Sequence, residues 1–342
     1  MKIAVVTDAW FPQINGVVNS LYNTTEILAA WGDVVTVISP DQFRTVPCPT
    51  YPEIPLAWEF WSVGKKLDAF DPDAVHIATE GPLGLAARYW CVANSYPFTT
   101  AYMTRFPEYI YMRFRIPTGF SLGYFQWFHQ ASAAVMVSTE SLERELDARG
   151  FKNLKRWSRG VDTDTFTPAA RREGNNLRPV FLYVGRVALE KNIEAFLSLD
   201  LPGSKMVTGD GPDLERLRAK WPEVTFTGAK KGKELAAVYA SADVFVFPSL
   251  TDTFGIVMLE AAASGLPVAA FPVQGPSDVV IHGKTGFLHD DLGVACLEAL
   301  CMNRESCRRH ALTRSWEVCT RQFLDNLSPK PGRDARNLVR VV

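Results

Sequence analysis

The chain has 342 residues, too many for one ordinary domain and enough for two. Thirty-six Lys and Arg residues against 37 Asp and Glu leave a formal net charge of −1, so no bulk field marks a nucleic-acid binder. A hydrophobic content of 47% excludes a disordered chain and is ample for two cores.

No uninterrupted apolar run reaches the roughly 18 residues of a membrane span. The opening MKIAVVTDAW meets Asp8 too early for the apolar centre of a signal peptide and reads as a first strand. Cysteines at 48, 91, 296, 301, 307 and 319 include no CxxC pair, and reduced thiols in a cytoplasmic protein are expected. The first half predicts strands over 3–7, 34–39, 74–78, 98–102 and 133–137, with helices over 17–30, 83–93 and 140–149. These strands are nearly unbroken apolar runs, the pattern of strands buried on both faces of a parallel sheet. The alternation breaks in a polar stretch at 168–176 and restarts with strands over 180–184, 205–207, 224–226, 244–247 and 268–271.

Two βαβ series of similar size predict an α/β protein with two Rossmann-like, doubly wound domains, residues 1–168 and 169–312, facing a cleft. A helix over 313–328 is expected to cross back to the first domain. The tail 329–342, with Pro329, Pro331, Gly332 and four basic residues, is expected to fray.

Ligands of open parallel sheets bind outside the carboxyl ends of the strands, so the residues just after each strand are the ones to inspect. After the first strand, Asn15-Gly16 opens a helix where backbone N–H groups and the helix dipole favour an anion, although one glycine is equally an ordinary turn. The second half says more. Gly185-Arg186 ends a strand and Glu190-Lys191-Asn192 opens the next helix, so two cations within one turn can face a diphosphate. Gly209-Asp210-Gly211-Pro212 is a tight turn that could pass beneath a nucleotide base or be a turn and nothing more.

In Phe247-Pro-Ser-Leu-Thr-Asp252-Thr-Phe254-Gly255, Asp252 or Thr253 can cap the helix that follows, which Gly265 and Pro267 stop. Glu260 sits in that Ala-rich helix. Capping explains Asp252 but not Glu260, whose burial without a partner would be expensive. Two acceptors so spaced can hold vicinal hydroxyls on two rings of one elongated ligand.

With these residues in hand, nearly the whole chain resembles a GT-B glycosyltransferase of retaining family 4. Within that family it is most similar to GDP-mannose-dependent α-mannosyltransferases and to sulfoquinovosyl- and glucuronosyl-diacylglycerol synthases. The closer likeness lies in the stretches that begin at Asp8, His76, Thr104 and Ser158. The resemblance implies that Arg186 and Lys191 hold the diphosphate of a nucleotide sugar and that Glu260 accepts from the ribose hydroxyls. It implies that Asp252, with backbone N–H groups around Phe254, Gly255 and Ile256, holds the donor sugar. Gly185, Gly209 and Asp210 would line the donor, and the Asn15-Gly16 turn would close over the diphosphate.

The activity implied is retaining transfer of a hexosyl group from a GDP- or UDP-linked donor to a lipid or glycolipid. No metal is required, because the cations replace it. Two positions depart from the family pattern. Asp252 stands where Glu is usual, which bears on sugar preference rather than activity. Met103 stands where similar sequences place His, and a thioether cannot donate to a sugar hydroxyl. A catalytically silent sugar-nucleotide-binding homologue therefore stays open, as does another GT-B enzyme such as a sugar-nucleotide epimerase.

Acceptor-side candidates are Asp8, Glu80, Met103, Thr104 and Arg105. Around them Tyr102, Phe106, Tyr109, Tyr111 and Phe114 interleave with Arg105, Arg113 and Arg115, followed by Phe120, Tyr124, Phe125, Trp127 and Phe128. That cluster is either core or a face for an anionic bilayer, and the expectation is a peripheral protein on the inner face of the plasma membrane. From Arg304 onward nine basic residues face four acidic ones, a second and weaker patch. The five histidines lack metal-ligand spacing, and His76, beside Glu80, is expected to make a structural hydrogen bond.

Overall fold

The computed structural model describes residues 1–13, 15–48, 51–104, 118–172, 176–252 and 254–332. Its strands, in chain order, are β1 (Lys2–Val6), β2 (Val34–Ile38), β3 (Thr45–Cys48), β4 (Tyr51–Ala57), β5 (Ala74–Ile77), β6 (Phe98–Tyr102), β7 (Ala134–Val137) and β8 (Leu154–Arg156). The second half supplies β9 (Val180–Val184), β10 (Ser204–Thr208), β11 (Thr225–Gly228), β12 (Val244–Phe247), β13 (Val268–Ala270) and β14 (Gly286–Leu288).

Two six-stranded sheets result, ordered β2-β1-β5-β6-β7-β8 and β11-β10-β9-β12-β13-β14, with a separate β3-β4 pair. Every pairing within the two large sheets is parallel. The inner strands β5, β6, β7, β9, β12 and β13 are buried at every residue, whereas the edge strands β2, β8 and β11 are half-exposed. That difference is why continuous apolar runs marked the inner strands so clearly.

The chain forms two compact units, Met1–Ser158 with the chain from Glu317 onward, and Arg159–Trp316. The core of the first includes Ala4, Val6, Val75, Ile77 and Phe98. That of the second includes Leu182, Val184, Phe245, Met258 and Leu259 on one face of its sheet, and Phe181, Val207, Val244 and Val246 on the other.

Residues 159–170 enter the second unit because their backbone is tied there. Val161 N–H donates to Arg314 O, and the Arg308 guanidinium donates to the carbonyls of Phe166, Thr163 and Ala263. The helix Trp316–Asn326 belongs to the first unit from Glu317 onward. Gln322 Oε1 accepts from the backbone and hydroxyl of Ser158, and Phe323 packs edge-on against His76. Lys330 N–H donates to Asp73 O, while 333–342 lie outside the described residues. No helix among the described residues is long and apolar enough to cross a membrane.

Candidate active site

Three loops of the second unit meet at the carboxyl ends of β9, β10 and β12. Glycine lets the first two touch. A Cβ on Gly209 would lie 1.8 Å from Gly185 O, so only hydrogen fits there. Gly185 N–H donates to Thr208 O, and Val187 N–H to Asp210 O, locking the loops together. Gly185, Gly209 and Asp210 thus shape the site through backbone packing. The Asp210 side chain accepts from the next N–H, that of Gly211.

Arg186 follows Gly185, and its carbonyl accepts from the Tyr183 hydroxyl at 2.8 Å. Lys191 closes the 3₁₀ turn Leu189–Lys191 and donates through Nζ to Asp252 Oδ1 at 2.6 Å. The two residues assigned separately to diphosphate and sugar are therefore ion-paired. Asn192 Nδ2 donates to Pro248 O, which fixes the β12 loop to the same turn.

Asp252 does not cap the following helix, Ile256–Ala263. Its N-cap is Gly255, which has no side chain to cap with, and the other expected cap, Thr253, lies outside the described residues. Phe254 is buried core, and Gly255 and Ile256 are half-buried at the helix entrance. Glu260 is buried in the same helix and accepts from the Tyr239 hydroxyl at 2.9 Å. Burial pushes its carboxyl up to about 7, and the Tyr239 hydrogen bond offsets only part of that.

The first unit also gathers carboxylates at its strand ends. Asp8, after β1, sits against the start of the helix Pro82–Ala93. Its Oδ1 accepts from Leu83 N–H, and its Oδ2 accepts from the Thr79 hydroxyl and Gly84 N–H. It supplies the cap that the N-cap residue Gly81 has no side chain to make. Burial outweighs these bonds and raises Asp8 to about 6, with the nearby Glu80 charge adding to the rise. Glu80 Oε1 accepts from His129 Nε2 at 3.2 Å, His129 Nδ1 meets Thr100 Oγ1 at 2.8 Å, and Thr100 donates to Ser132.

His129, not His76, is the histidine beside Glu80. His76 bonds Thr99 and packs against Trp157 and Phe323. Asn15 Oδ1 caps the helix Gly16–Ala30 by accepting from Val17 and Val18 N–H, with Gly16 exposed beside it. Met103 is buried after β6 and Thr104 half-buried, whereas Arg105, Phe106, Tyr109, Tyr111, Arg113, Phe114 and Arg115 lie outside the described residues. Of the aromatic cluster, Tyr102, Phe125 and Phe128 are core, and Tyr124 and Trp127 reach solvent. In the basic C-terminal patch, Arg304 and Arg308 turn inward to backbone carbonyls.

The sequence reading missed Ser249, Thr251 and Gln274. Among the described residues their side-chain oxygens are buried without a hydrogen-bond partner, as is Asp252 Oδ2. Nothing in spacing or periodicity marks them; only the folded loops do.

Residues 14–165 match the family described as Glycosyltransferase Family 4, and residues 178–301 match Glycosyl transferases group 1. A GDP-mannose-dependent alpha-mannosyltransferase from Mycobacterium tuberculosis is 32% identical over 97% of this chain and 98% of that protein. The sulfoquinovosyl transferase of Arabidopsis thaliana is 32% identical over 81% of this chain and 61% of its own length. Sucrose-phosphate synthase from Thermosynechococcus elongatus shares the fold, with a TM-score of 0.75 at 20% identity over 95% of this chain and 97% of that one. With two parallel Rossmann-like sheets and matches across both halves, the chain belongs to the family 4, group 1 glycosyltransferases of the GT-B fold.

Proposed function

We propose that the chain transfers a hexosyl group, with retention, from a GDP- or UDP-linked sugar to a hydroxyl of a lipid or glycolipid at a membrane surface. The observation that carries this reading is the Lys191–Asp252 pair at 2.6 Å, an ammonium and a carboxylate fixed to each other in the loop system that also holds Arg186. Arg186 and Lys191 offer positive charge to a departing diphosphate, which is the role a divalent cation has elsewhere, so the proposal needs no metal. Glu260 is the acceptor for ribose hydroxyls.

In this scheme the bond from the anomeric carbon to the β-phosphate oxygen breaks and its electron pair stays on the diphosphate. The acceptor oxygen bonds to that carbon on the same face, and its proton passes to the leaving phosphate oxygen. No base is asked of Met103. The name of one relative, a GDP-mannose-dependent alpha-mannosyltransferase, supports a nucleotide-linked hexosyl donor.

Support for a peripheral membrane contact comes from the first unit. Trp58, Trp61 and Tyr89 are 60%, 62% and 77% exposed, and the turn Phe60–Ser62 packs beside the helix that carries Tyr89. Amphipathic rings of this kind settle at bilayer interfaces. Replacing Trp58 and Trp61 together by Ser should abolish co-sedimentation with anionic vesicles, and undiminished binding would remove the contact from this surface.

The deciding test of the donor is a thermal-shift panel with GDP, UDP, ADP and their sugar conjugates, since ligands of the native state raise its melting temperature. One base should stand out, and Glu260→Ala should weaken its binding about 10- to 100-fold, the loss of hydrogen bonds to a charged group. A folded protein that responds to none would overturn the donor reading, and with it the silent sugar-nucleotide-binding homologue.

A further inference from the structure

At the amino ends of the second unit's strands, away from the loops that hold Arg186 and Asp252, Pro179, Asp243 and Pro267 immediately precede β9, β12 and β13. With Arg178, Met302 and Arg304 they line a cleft of about 370 Å³. Its charges do not balance. Asp243 is the only carboxylate lining it among the described residues. Both oxygens of Asp243 are taken, Oδ1 by the Arg178 guanidinium and Oδ2 by Val180 N–H. Arg304 donates to the carbonyls of Ala242 and Ala240, and Arg178 also to that of Ser241, so both close the carboxyl end of the helix Gly232–Ser241. Those carbonyls bring only the partial negative charge of a helix end.

Burial holds Arg304 below the ordinary arginine value; Asp243 opposes that shift, while the like charges of Arg171 and Arg178 add to it. Three guanidinium groups therefore stand against one carboxylate. A guanidinium has five N–H donors, and among the described residues Arg178 and Arg304 each use two, so donors remain for an occupant. The helix Arg304–Leu312 also starts at this cleft, and its amino end adds to the positive field. We propose that the cleft is a binding site for a phosphate group, received by Arg178 and Arg304 at the end of the sheet opposite the donor loops. A phosphate carries close to two negative charges at neutral pH, which matches the excess, whereas a carboxylate carries one. Pro267, Leu300 and Met302 add apolar surface to the lining, so a phosphate ester with an apolar body fits as well as the free ion.

The test is calorimetry of the full chain with inorganic phosphate and with phenyl phosphate at low ionic strength, for the wild type, Arg178→Met and Met302→Glu. Arg178→Met removes one guanidinium and should weaken binding of both probes about 10- to 100-fold. Met302→Glu keeps both arginines and supplies the cleft with a carboxylate of its own, so it should abolish binding without lowering the melting temperature. It touches neither arginine's bonds to the helix carbonyls and decides the matter if Arg178→Met fails to fold. Tighter binding of phenyl phosphate than of inorganic phosphate identifies an ester as the ligand, and equal binding identifies the free ion. Phosphate bound as tightly by Met302→Glu as by the wild type sits elsewhere, at Arg186 and Lys191, and overturns the site. A wild type that binds neither probe overturns it as well.

Discussion

Each unit carries two carboxylates in the segments that follow its strands, Asp8 and Glu80 in the first and Asp252 and Glu260 in the second, and the two pairs are held in opposite ways. In the first, Asp8 receives two backbone N–H groups and a hydroxyl, and Glu80 receives His129. Their accepting capacity is turned toward the fold. In the second, among the described residues, Asp252 shares one oxygen with Lys191 and keeps the other unmet, while Glu260 has one phenol. Their accepting capacity is left over for something else. A carboxylate after a strand is thus no site by itself; what distinguishes structure from recognition is how much of its hydrogen bonding the protein has already used.

The sharpest way to break that contrast is Asp8→Ala. It strands Leu83 and Gly84 N–H groups and the Thr79 hydroxyl, and should lower unfolding free energy by about 2–4 kcal/mol in urea titrations while nucleotide binding by the second unit stays intact. A stable variant that loses binding would reverse the assignment.

Next in size is the pH response of Glu260. Its folded value of about 7 lies above the ordinary 4.5, so the native state holds a proton that the unfolded chain gives up. Stability from this group is therefore full below about pH 4.5 and is lost as pH rises toward 7, by up to about 3 kcal/mol. Glu260→Gln still accepts from Tyr239 and should flatten that part of the profile. Nucleotide affinity should move the other way, rising from pH 6 to 8 as the stronger, ionised acceptor becomes available. Affinity that is flat or falls over that range would detach Glu260 from the ribose.

Much of this was readable before folding. The inner strands announced themselves because burial on both faces demands unbroken apolar runs. The β3-β4 pair did not, since Pro47, Pro52 and Pro55 argue against strands and pairing outside the large sheets tolerates them. β8 and β14 were missed too, one an exposed edge strand of Leu-Lys-Arg and the other only three residues long. In the site, Arg186, Lys191, Asp252 and Glu260 were legible because charge at a strand end, or in an Ala-rich helix, is costly without a role. The approach of Gly275 to the Asp252 backbone was not, because it joins two loops that no local pattern relates. His129 reaches Glu80 across 49 residues, a pairing that no local pattern encodes.

The smallest stability effect is also the most discriminating. Lys191→Met removes an ion pair whose side chains are 21% and 15% exposed, and in a partly solvated loop such a pair contributes on the order of 1 kcal/mol or less. The melting temperature should barely move. Binding of the nucleoside diphosphate should nevertheless fall at least tenfold, because the cation that neutralises Asp252 is the one assigned to the diphosphate, and without it the carboxylate repels the ligand. Lys191→Arg keeps the charge but changes its shape, so it should recover part of the affinity. Were Lys191→Met to unfold the unit instead, the pair would be structural in the same sense as Asp8 with its helix, and the contrast between the two units would collapse.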